Sequence, residues 1–300
     1  MYLDEWPQGE QDALAYLIWR FAVIGPSVRR TRVGNIPQCC LAVVMLASGG
    51  ETMAEENEGF ESVEKEILDD SDWVVLGVGA AVAPRYEGSD DYQVSPVPMV
   101  DVQKGRFFAR LGDGIGLHVI DTKNFLVGVG VDWMQGYDEE DVPDGIGELD
   151  GEPGGKVFAS ARFGGVIASL SGTQVLDEGS EEERGLKGLI VDAELSYPYP
   201  LTERLMLVPG ASVSWADASY MNSYFGIDAS SAAVSGLDIH EPSSGVKDVS
   251  LRVGFNYRIN ENWNLTGAVG VSRLMGDAAD SPLVESESQP NALVGISYEF

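Results

Sequence analysis

The chain has 300 residues, of which 44% are hydrophobic and 36 are glycine. It contains 19 Lys and Arg residues and 48 Asp and Glu residues, which give a net charge of -29. This charge argues against nucleic acid as a partner. After residue 60, no uncharged apolar run reaches the roughly 18 residues of a membrane helix, so a helical membrane protein is not expected.

The N-terminal segment predicts export from the cytoplasm. Arg29 and Arg30 precede an apolar run from Cys39 to Ala47, and small or polar residues lead from there to Ala54. This order is typical of a secretory signal peptide. We predict cleavage after Ala54, so that residues 1–54 comprise an N-terminal extension and the signal peptide. Both cysteines of the chain lie in the apolar run, and a mature chain without cysteine suits an oxidising compartment.

Residues 55–72 are acidic and mostly polar. We interpret them as a solvated periplasmic lead-in to the domain that follows. A short amphipathic helix that docks a partner is the alternative, since Val63 and Ile67 have helical spacing.

From Trp73 to Phe300, apolar and polar residues alternate in segment after segment. Residues 291–300 show this best, with Ala, Val, Ile, Tyr and Phe at even positions and mostly polar residues or glycine between them. Successive side chains of a strand point to opposite faces, so one face of such a strand is apolar. The predicted strands lie near 73–83, 94–102, 106–112, 114–121, 124–136, 154–163, 166–176, 185–200, 204–217, 246–260, 262–275 and 290–300.

These strands have the length of about ten residues that spans a bilayer when tilted. Short turns alternate with long polar loops between them, as in bacterial outer-membrane barrels. Residues 73–300 are therefore predicted to be all-β, a transmembrane antiparallel up-and-down β-barrel of about twelve strands. Ten strands is the alternative, because the alternation is blurred over residues 154–176. A soluble β-sandwich would also alternate, but its apolar face would belong to a core.

Charged residues in the polar set are expected to face the lumen of the barrel. An arginine that faced lipid at mid-bilayer would cost roughly 2–4 kcal/mol. The candidate lumen-lining residues are Arg106, Arg110, His118, Asp132, Asp192, Glu194, Arg252 and Arg258.

Three segments resemble motifs of the MipA/OmpV family. Residues 84–92 with Pro96-Val97-Pro98 resemble its opening YEGSDDY…P.P stretch, residues 216–227 its ADxxYxxxYFGV loop, and residues 274–284 its LxGDAxDSPIV segment. The motif residues in these loops are Tyr86, Glu87, Gly88, Asp90, Asp91, Tyr92, Asp217, Tyr220, Tyr224, Phe225, Gly226, Gly276, Asp277, Asp280, Ser281 and Pro282. We interpret them as loop-stabilising, since the aromatics could pack into a lid. Ligand or cation binding is the alternative.

The resemblance implies a barrel in the outer membrane of a Gram-negative cell, surrounded by lipid and lipopolysaccharide. Members of the family are described as MltA-interacting proteins, scaffolds between a lytic transglycosylase and a murein synthase, and these enzymes are the implied partners. A narrow pore for small solutes and a surface adhesin or receptor are the alternative functions.

The sequence predicts neither an enzyme nor a cofactor. His118 and His240 are its two histidines. Asp238 with His240 could form half of a catalytic site, but no second half is evident. The spacing of cysteine and histidine fits no zinc site, and no glycine-rich phosphate loop occurs.

Overall fold

The strands that the alternation predicts are present and form one antiparallel sheet. The computed structural model describes residues 72–176 and 185–300, all within the unit Val63–Phe300. The predicted signal peptide, the acidic lead-in before Asp72 and loop residues 177–184 lie outside the described residues. The strands are β1 Trp73–Pro84, β2 Tyr92–Lys104, β3 Phe107–Arg110, β4 Gly114–Asp121, β5 Phe125–Met134, β6 Glu152–Phe163, β7 Val166–Val175, β8 Leu189–Ser196, β9 Tyr199–Pro200, β10 Leu205–Ala216, β11 Gly245–Arg258, β12 Trp263–Leu274 and β13 Ser288–Glu299.

The sheet closes into a barrel. Each strand pairs with its neighbours in the chain, β13 pairs with β1, and β8 and β9 are successive parts of one crossing that pairs with β10. Twelve crossings result, which confirms the predicted twelve-strand barrel and excludes the alternative of ten.

The apolar face of the barrel points outward. On β13, Val294 and Ile296 are 49% and 39% exposed, while Gly295 between them and Ser297 after them are buried. Val78 of β1, which lies opposite Ile296, is 69% exposed. Exposed apolar side chains continue around the strands in this way, so hydrocarbon rather than water is the solvent that this face requires.

The two ends of the barrel differ in their connections. At one end, which we call the turn end, the strands are joined by tight turns. At the other, the loop end, long connections carry the helices α1 (Ala218–Phe225), α2 (Ala229–Ser235) and α3 (Gly276–Ala279) and a 3-10 turn (Glu139–Asp141). Short turns face the periplasm in bacterial barrels. Within residues 72–176 and 185–300, no helix is long and apolar enough to cross a membrane.

One hairpin is shorter than its neighbours. The sequence predicts a strand over residues 106–112, but β3 ends at Arg110 and pairs with β2 only from Asp101 to Lys104. Gly112 and Gly114 have φ of 84° and 79°, a left-handed conformation that ends the strand and turns the chain directly into β4. The β3–β4 turn, Leu111–Asp113, is consequently the one short connection at the loop end among the described residues.

Candidate functional site

The long connections pack together at the loop end into a buried core, which we call the lid. Four motif aromatics, Tyr86, Tyr220, Tyr224 and Phe225, belong to it and are at most 4% exposed. The other members are Met134, Tyr137, Val142, Ile146, Leu149, Val175, Leu186, Ala216, Met221, Ile227, Leu274, Ala278 and Leu283. The lid therefore joins five connections to the strand ends beneath them.

Tyr224 contacts aromatic rings on several sides. Its ring centroid lies 5.3 Å from that of Tyr137 in a T-shaped arrangement, 5.9 Å from that of Tyr220 and 4.8 Å from that of Phe225. Its hydroxyl accepts a hydrogen bond of 2.9 Å from the backbone N–H of Glu87. Burial raises the pKa of the Tyr220 and Tyr224 phenols well above the usual value, so both remain neutral.

The second and third motifs meet at the end of α1. The carboxylate of Asp217 caps this helix by accepting a hydrogen bond of 2.8 Å from Tyr220 N–H, as N-cap residues commonly do. Gly226 follows the helix, and a Cβ there would lie 2.3 Å from the carbonyl oxygen of Asn222. The hydroxyl of Ser281 donates a hydrogen bond of 2.7 Å to the Phe225 carbonyl. Glycine is thus required at position 226 by a close approach within the second-motif loop, and Ser281 joins that loop to the third motif.

The first and third motifs meet at Gly88. Its φ is 111°, and a Cβ would lie 2.8 Å from Cγ2 of Val284. Its carbonyl accepts hydrogen bonds of 2.8 and 2.9 Å from Glu285 and Ser286 N–H. Nearby, the Tyr86 hydroxyl donates a hydrogen bond of 3.0 Å to the Leu283 carbonyl. These contacts join the first and third motifs within the lid.

The carboxylate of Asp277 attaches α3 to the long connection after α2. It accepts hydrogen bonds of 2.8 Å from Ser243 N–H and 2.5 Å from the Ser243 hydroxyl. These hydrogen bonds hold its pKa below the usual range. His240 Nε2 lies 2.8 Å from the Asp277 carbonyl oxygen, so this histidine also contacts α3 from the β10–β11 connection.

The remaining motif residues lie at the margin of the lid. Gly276 has φ of 51°, Pro282 is half-buried, and Tyr92 begins β2 with its ring 40% exposed. Asp90, Asp91 and Asp280 are exposed.

A buried ion cluster beneath the lid was not predicted from the sequence. Lys247 Nζ lies 2.5 Å from Glu87 Oε2 and 2.8 Å from Asp248 Oδ2. The register of β10 and β11 shifts between Ser214 and Trp215, where Lys247 is an extra residue. The only signal in the sequence is the pair of charged residues between Val246 and Val249, where the alternation breaks.

Most predicted lumen residues lie at strand positions that alternate with exposed apolar side chains. Arg106 differs, because it lies exposed in the turn between β2 and β3. The strand residues are Arg110, His118, Asp132, Asp192, Glu194, Arg252 and Arg258.

The structure brings some of these residues together in separate places. Glu194 and Arg252 form an ion pair, and the Ser214 hydroxyl donates a hydrogen bond of 2.6 Å to Asp192.

A second group lies where β3 turns into β4. Arg110 Nε is 3.1 Å from Asp101, Arg110 Nη1 is 3.4 Å from Asp113, and Lys156 Nζ is 3.8 Å from Asp113 and 3.3 Å from Asp132. We call these five residues the charged cluster. The residue pattern does not single out Asp101, Asp113 and Lys156, because their pairing depends on the register of five strands.

An aromatic layer lies next to the charged cluster on the turn-end side. The His118 ring stacks on Phe108 with centroids 4.8 Å apart, and Phe158 lies edge-on to both. Gly116 and Gly128 leave room for these rings, since a Cβ at either position would lie 2.7 or 2.2 Å from a ring carbon. His118 is therefore packed against two aromatic rings. Within residues 72–176 and 185–300, no group of three or more potential ligands could hold a metal ion.

The turn end carries a cleft of about 650 Å³. Arg204 and Arg258 contribute two positive charges to it and Glu261 one negative charge, while Trp263 and Tyr298 contribute aromatic surface. The two rings contact each other in a T-shaped arrangement, with centroids 5.2 Å apart. This surface can offer guanidinium donors and flat apolar area to the same partner.

Known proteins share this sequence pattern. The family described as MltA-interacting protein MipA matches residues 76–300. The MltA-interacting protein of Escherichia coli K12 is 25% identical over 75% of this chain and 89% of its own. Outer membrane protein OmpV of Vibrio cholerae is 26% identical over 65% of this chain and 70% of its own. Among solved structures, the NanC porin has a TM-score of 0.39 and 8% identity, over 74% of this chain and 98% of that one.

Proposed function

The chain belongs to the MipA family of outer-membrane β-barrels, and from this premise we propose that it is a non-enzymatic scaffold. Its turn end docks an enzyme of murein remodelling in the periplasm. A lytic transglycosylase is the first candidate partner, because the relative in Escherichia coli is named for its interaction with MltA.

The cleft at the turn end is the observation that carries this proposal. Arg204 and Arg258 place two guanidinium groups in one surface of a protein whose net charge is -29. Guanidinium groups bind carboxylates in a bidentate manner and with defined geometry. Exposed aromatic rings such as Trp263 supply much of the binding free energy at protein interfaces.

The lid lies at the opposite end of the barrel. Its core of buried aromatics links the loops through packing and hydrogen bonds. Because short turns face the periplasm in bacterial barrels, the turn end is the surface that soluble periplasmic partners can reach.

Cross-linking in intact envelopes tests the proposal. We expect the wild-type barrel to recover a lytic transglycosylase, and the double variant Arg204→Glu with Arg258→Glu to lose most of it. Arg273→Glu is the matched control, because Arg273 is an exposed arginine at the loop end. Failure of the wild-type protein to recover such an enzyme, or equal recovery by the double variant, would contradict the proposal.

A narrow pore for small solutes is a second candidate, favoured by the charged interior. The ion pair of Glu194 with Arg252 lies at strand positions opposite to the lipid-facing set, and so do all members of the charged cluster except Asp113, which lies in the β3–β4 turn. Planar-bilayer recording tests this function, and the absence of conductance at any applied voltage would exclude it.

A further inference from the structure

The short β3–β4 hairpin leaves part of β2 without a second neighbour. β1 pairs with β2 along its whole length, from Tyr92 to Gln103, whereas β3 reaches only to Asp101. Between Asp101 and the loop end, the next strand of the barrel wall after β2 is β5. Among the described residues, no strand pairs with the edge of β2 from Tyr92 to Met99 on the β3 side.

The sequence of this edge prevents another strand from pairing with it. The carbonyl of Val100 accepts a hydrogen bond of 3.0 Å from Leu111 N–H, so even-numbered residues of β2 direct their backbone groups toward the β3 side. Pro96 and Pro98 belong to that set and have no N–H to donate. Proline at such positions protects a strand edge from pairing with a further strand. The edge therefore presents carbonyl acceptors with few donors.

The surrounding elements frame this gap. Its base is the turn Leu111–Asp113, and its far side is β5 near Trp133. Above it, the Arg85 guanidinium lies 2.5 Å from the Asp141 carboxylate and ties the β1–β2 connection to the β5–β6 connection. At this level β3 and β4 are absent, so three inter-strand spacings of about 4.8 Å separate β2 from β5. The distance between their backbones is then roughly 14 Å. We call this opening the lateral window.

The outer margin of the window is apolar. The outward side chains around it are apolar and exposed, with Val94 at 72%, Leu111 at 43%, Ile115 at 58% and Trp133 at 45%. An unpaired carbonyl in this band costs free energy, because hydrocarbon offers it no hydrogen-bond donor.

The inner side of the window is polar and carries excess negative charge. Lys156 Nζ lies 3.3 Å from the carbonyl oxygen of Gly112, so the charged cluster borders the base of the opening. The cluster contains three carboxylates and two cations, which leaves one negative charge without compensation inside it.

We propose that the lateral window binds an amphiphile with a positively charged ammonium head group. The hydrocarbon chain stays in the outer leaflet, and the head group passes between β2 and β5 to the charged cluster. An ammonium group donates hydrogen bonds to carbonyls and carboxylates, which are the groups that this site presents. An anionic head group would meet acceptors and a net negative charge.

Fluorescence quenching in proteoliposomes tests this proposal. In a background with Cys39 and Cys40 replaced by serine, a bimane label is attached at Val97→Cys, an inward position on the free edge of β2. The control label is at Ser250→Cys, inward on β11 where β10 and β12 complete the wall. Ser95→Cys replaces Val97→Cys if that variant does not fold. The probes are a nitroxide-bearing alkylammonium and a nitroxide-bearing fatty acid of equal chain length.

We expect the alkylammonium to quench the Val97→Cys label several-fold more than the Ser250→Cys label, and more than the fatty acid does. Asp113→Asn should weaken binding, so that about tenfold more alkylammonium is needed for half-maximal quenching. This factor corresponds to the loss of one charge-assisted hydrogen bond. Arg110 and Lys156 keep Asp101 and Asp132 as partners in that variant, so its fold is preserved. Equal quenching at both labels would refute the window, and equal quenching by the fatty acid would refute the head-group assignment.

Discussion

Replacing Lys247 by methionine should destabilise the barrel by about 3–5 kcal/mol, the usual cost of removing one partner from a buried ion pair. The ammonium group is buried with two carboxylates at 2.5 and 2.8 Å. Methionine has a similar length and fills the same space, so the substitution removes the charge and leaves most of the packing.

The magnitude follows from the distances and burial. At an effective dielectric constant of about 20, two unit charges 2.8 Å apart attract by roughly 6 kcal/mol. Desolvation of the charges offsets several kcal/mol of this attraction. The Glu87 side chain is 37% exposed and is partly screened by water, whereas that of Asp248 is 9% exposed. The loss should therefore come mainly from the Asp248 carboxylate, which is the more buried of the two and loses its cationic partner.

Urea unfolding from lipid vesicles, followed by tryptophan fluorescence, measures this change. Arg273→Met is the matched control, because the Arg273–Glu287 pair is exposed and should contribute at most about 1 kcal/mol. The triple variant with Glu87→Gln and Asp248→Asn should regain at least half of the loss, since it leaves no buried charge. If Lys247→Met is as stable as the wild type, or if the triple variant regains nothing, the reasoning from uncompensated charge is wrong.

Three further predictions concern the loops and turns. Tyr86→Phe should cost about 1 kcal/mol in the same unfolding assay through the lost hydrogen bond to Leu283, and unchanged stability would show that this bond contributes nothing. Gly88→Ala should cost at least about 1 kcal/mol more than Gly105→Ala, because both have positive φ but only Gly88 would bring its Cβ against a side chain. Asp228 caps α2, and its hydrogen bonds with the following serines lower its pKa from 3.8 to about 2. Its folded-state pKa is thus the lower one, so its stabilisation is present above about pH 4 and is lost as the pH falls toward 2. Asp228→Asn should make the urea midpoint less sensitive to acid in that range, and an unchanged acid profile would contradict this assignment.

The strands could be predicted to within a few residues because their two-residue alternation is imposed by lipid on one side and polar groups on the other. The strand predicted for β3 is too long, because the apolar alternation continues to Leu111. The chain nevertheless turns there, since Gly112 and Gly114 adopt positive φ angles. The predicted strand over 185–200 begins instead at Leu189 and is interrupted between Ser196 and Tyr199, where Tyr197 and Pro198 continue the apolar pattern without regular pairing.

The contacts within the barrel could be predicted much less well. Alternation placed charged residues such as Asp132 on the face opposite lipid, but it does not identify their partners. Lys247 and Glu87 are 160 residues apart, and their contact depends on a register shift between β10 and β11 that no local pattern indicates. The aromatics of the lid were recognised through their motifs, while Tyr137, which lies outside the motifs, was missed.

The pairing of β13 with β1 has a consequence for how the barrel forms. Val75 and Glu299 are partners in this seam although 224 positions, 299 minus 75, separate them. Closing a chain segment of that length costs roughly 5 kcal/mol in entropy before any contact compensates it. Such non-local pairing makes folding slow, and until it occurs both terminal strands expose edges that can pair with other chains. Efficient assembly therefore depends on an assembly factor that shields the edges of β1 and β13 from other chains until the two strands pair.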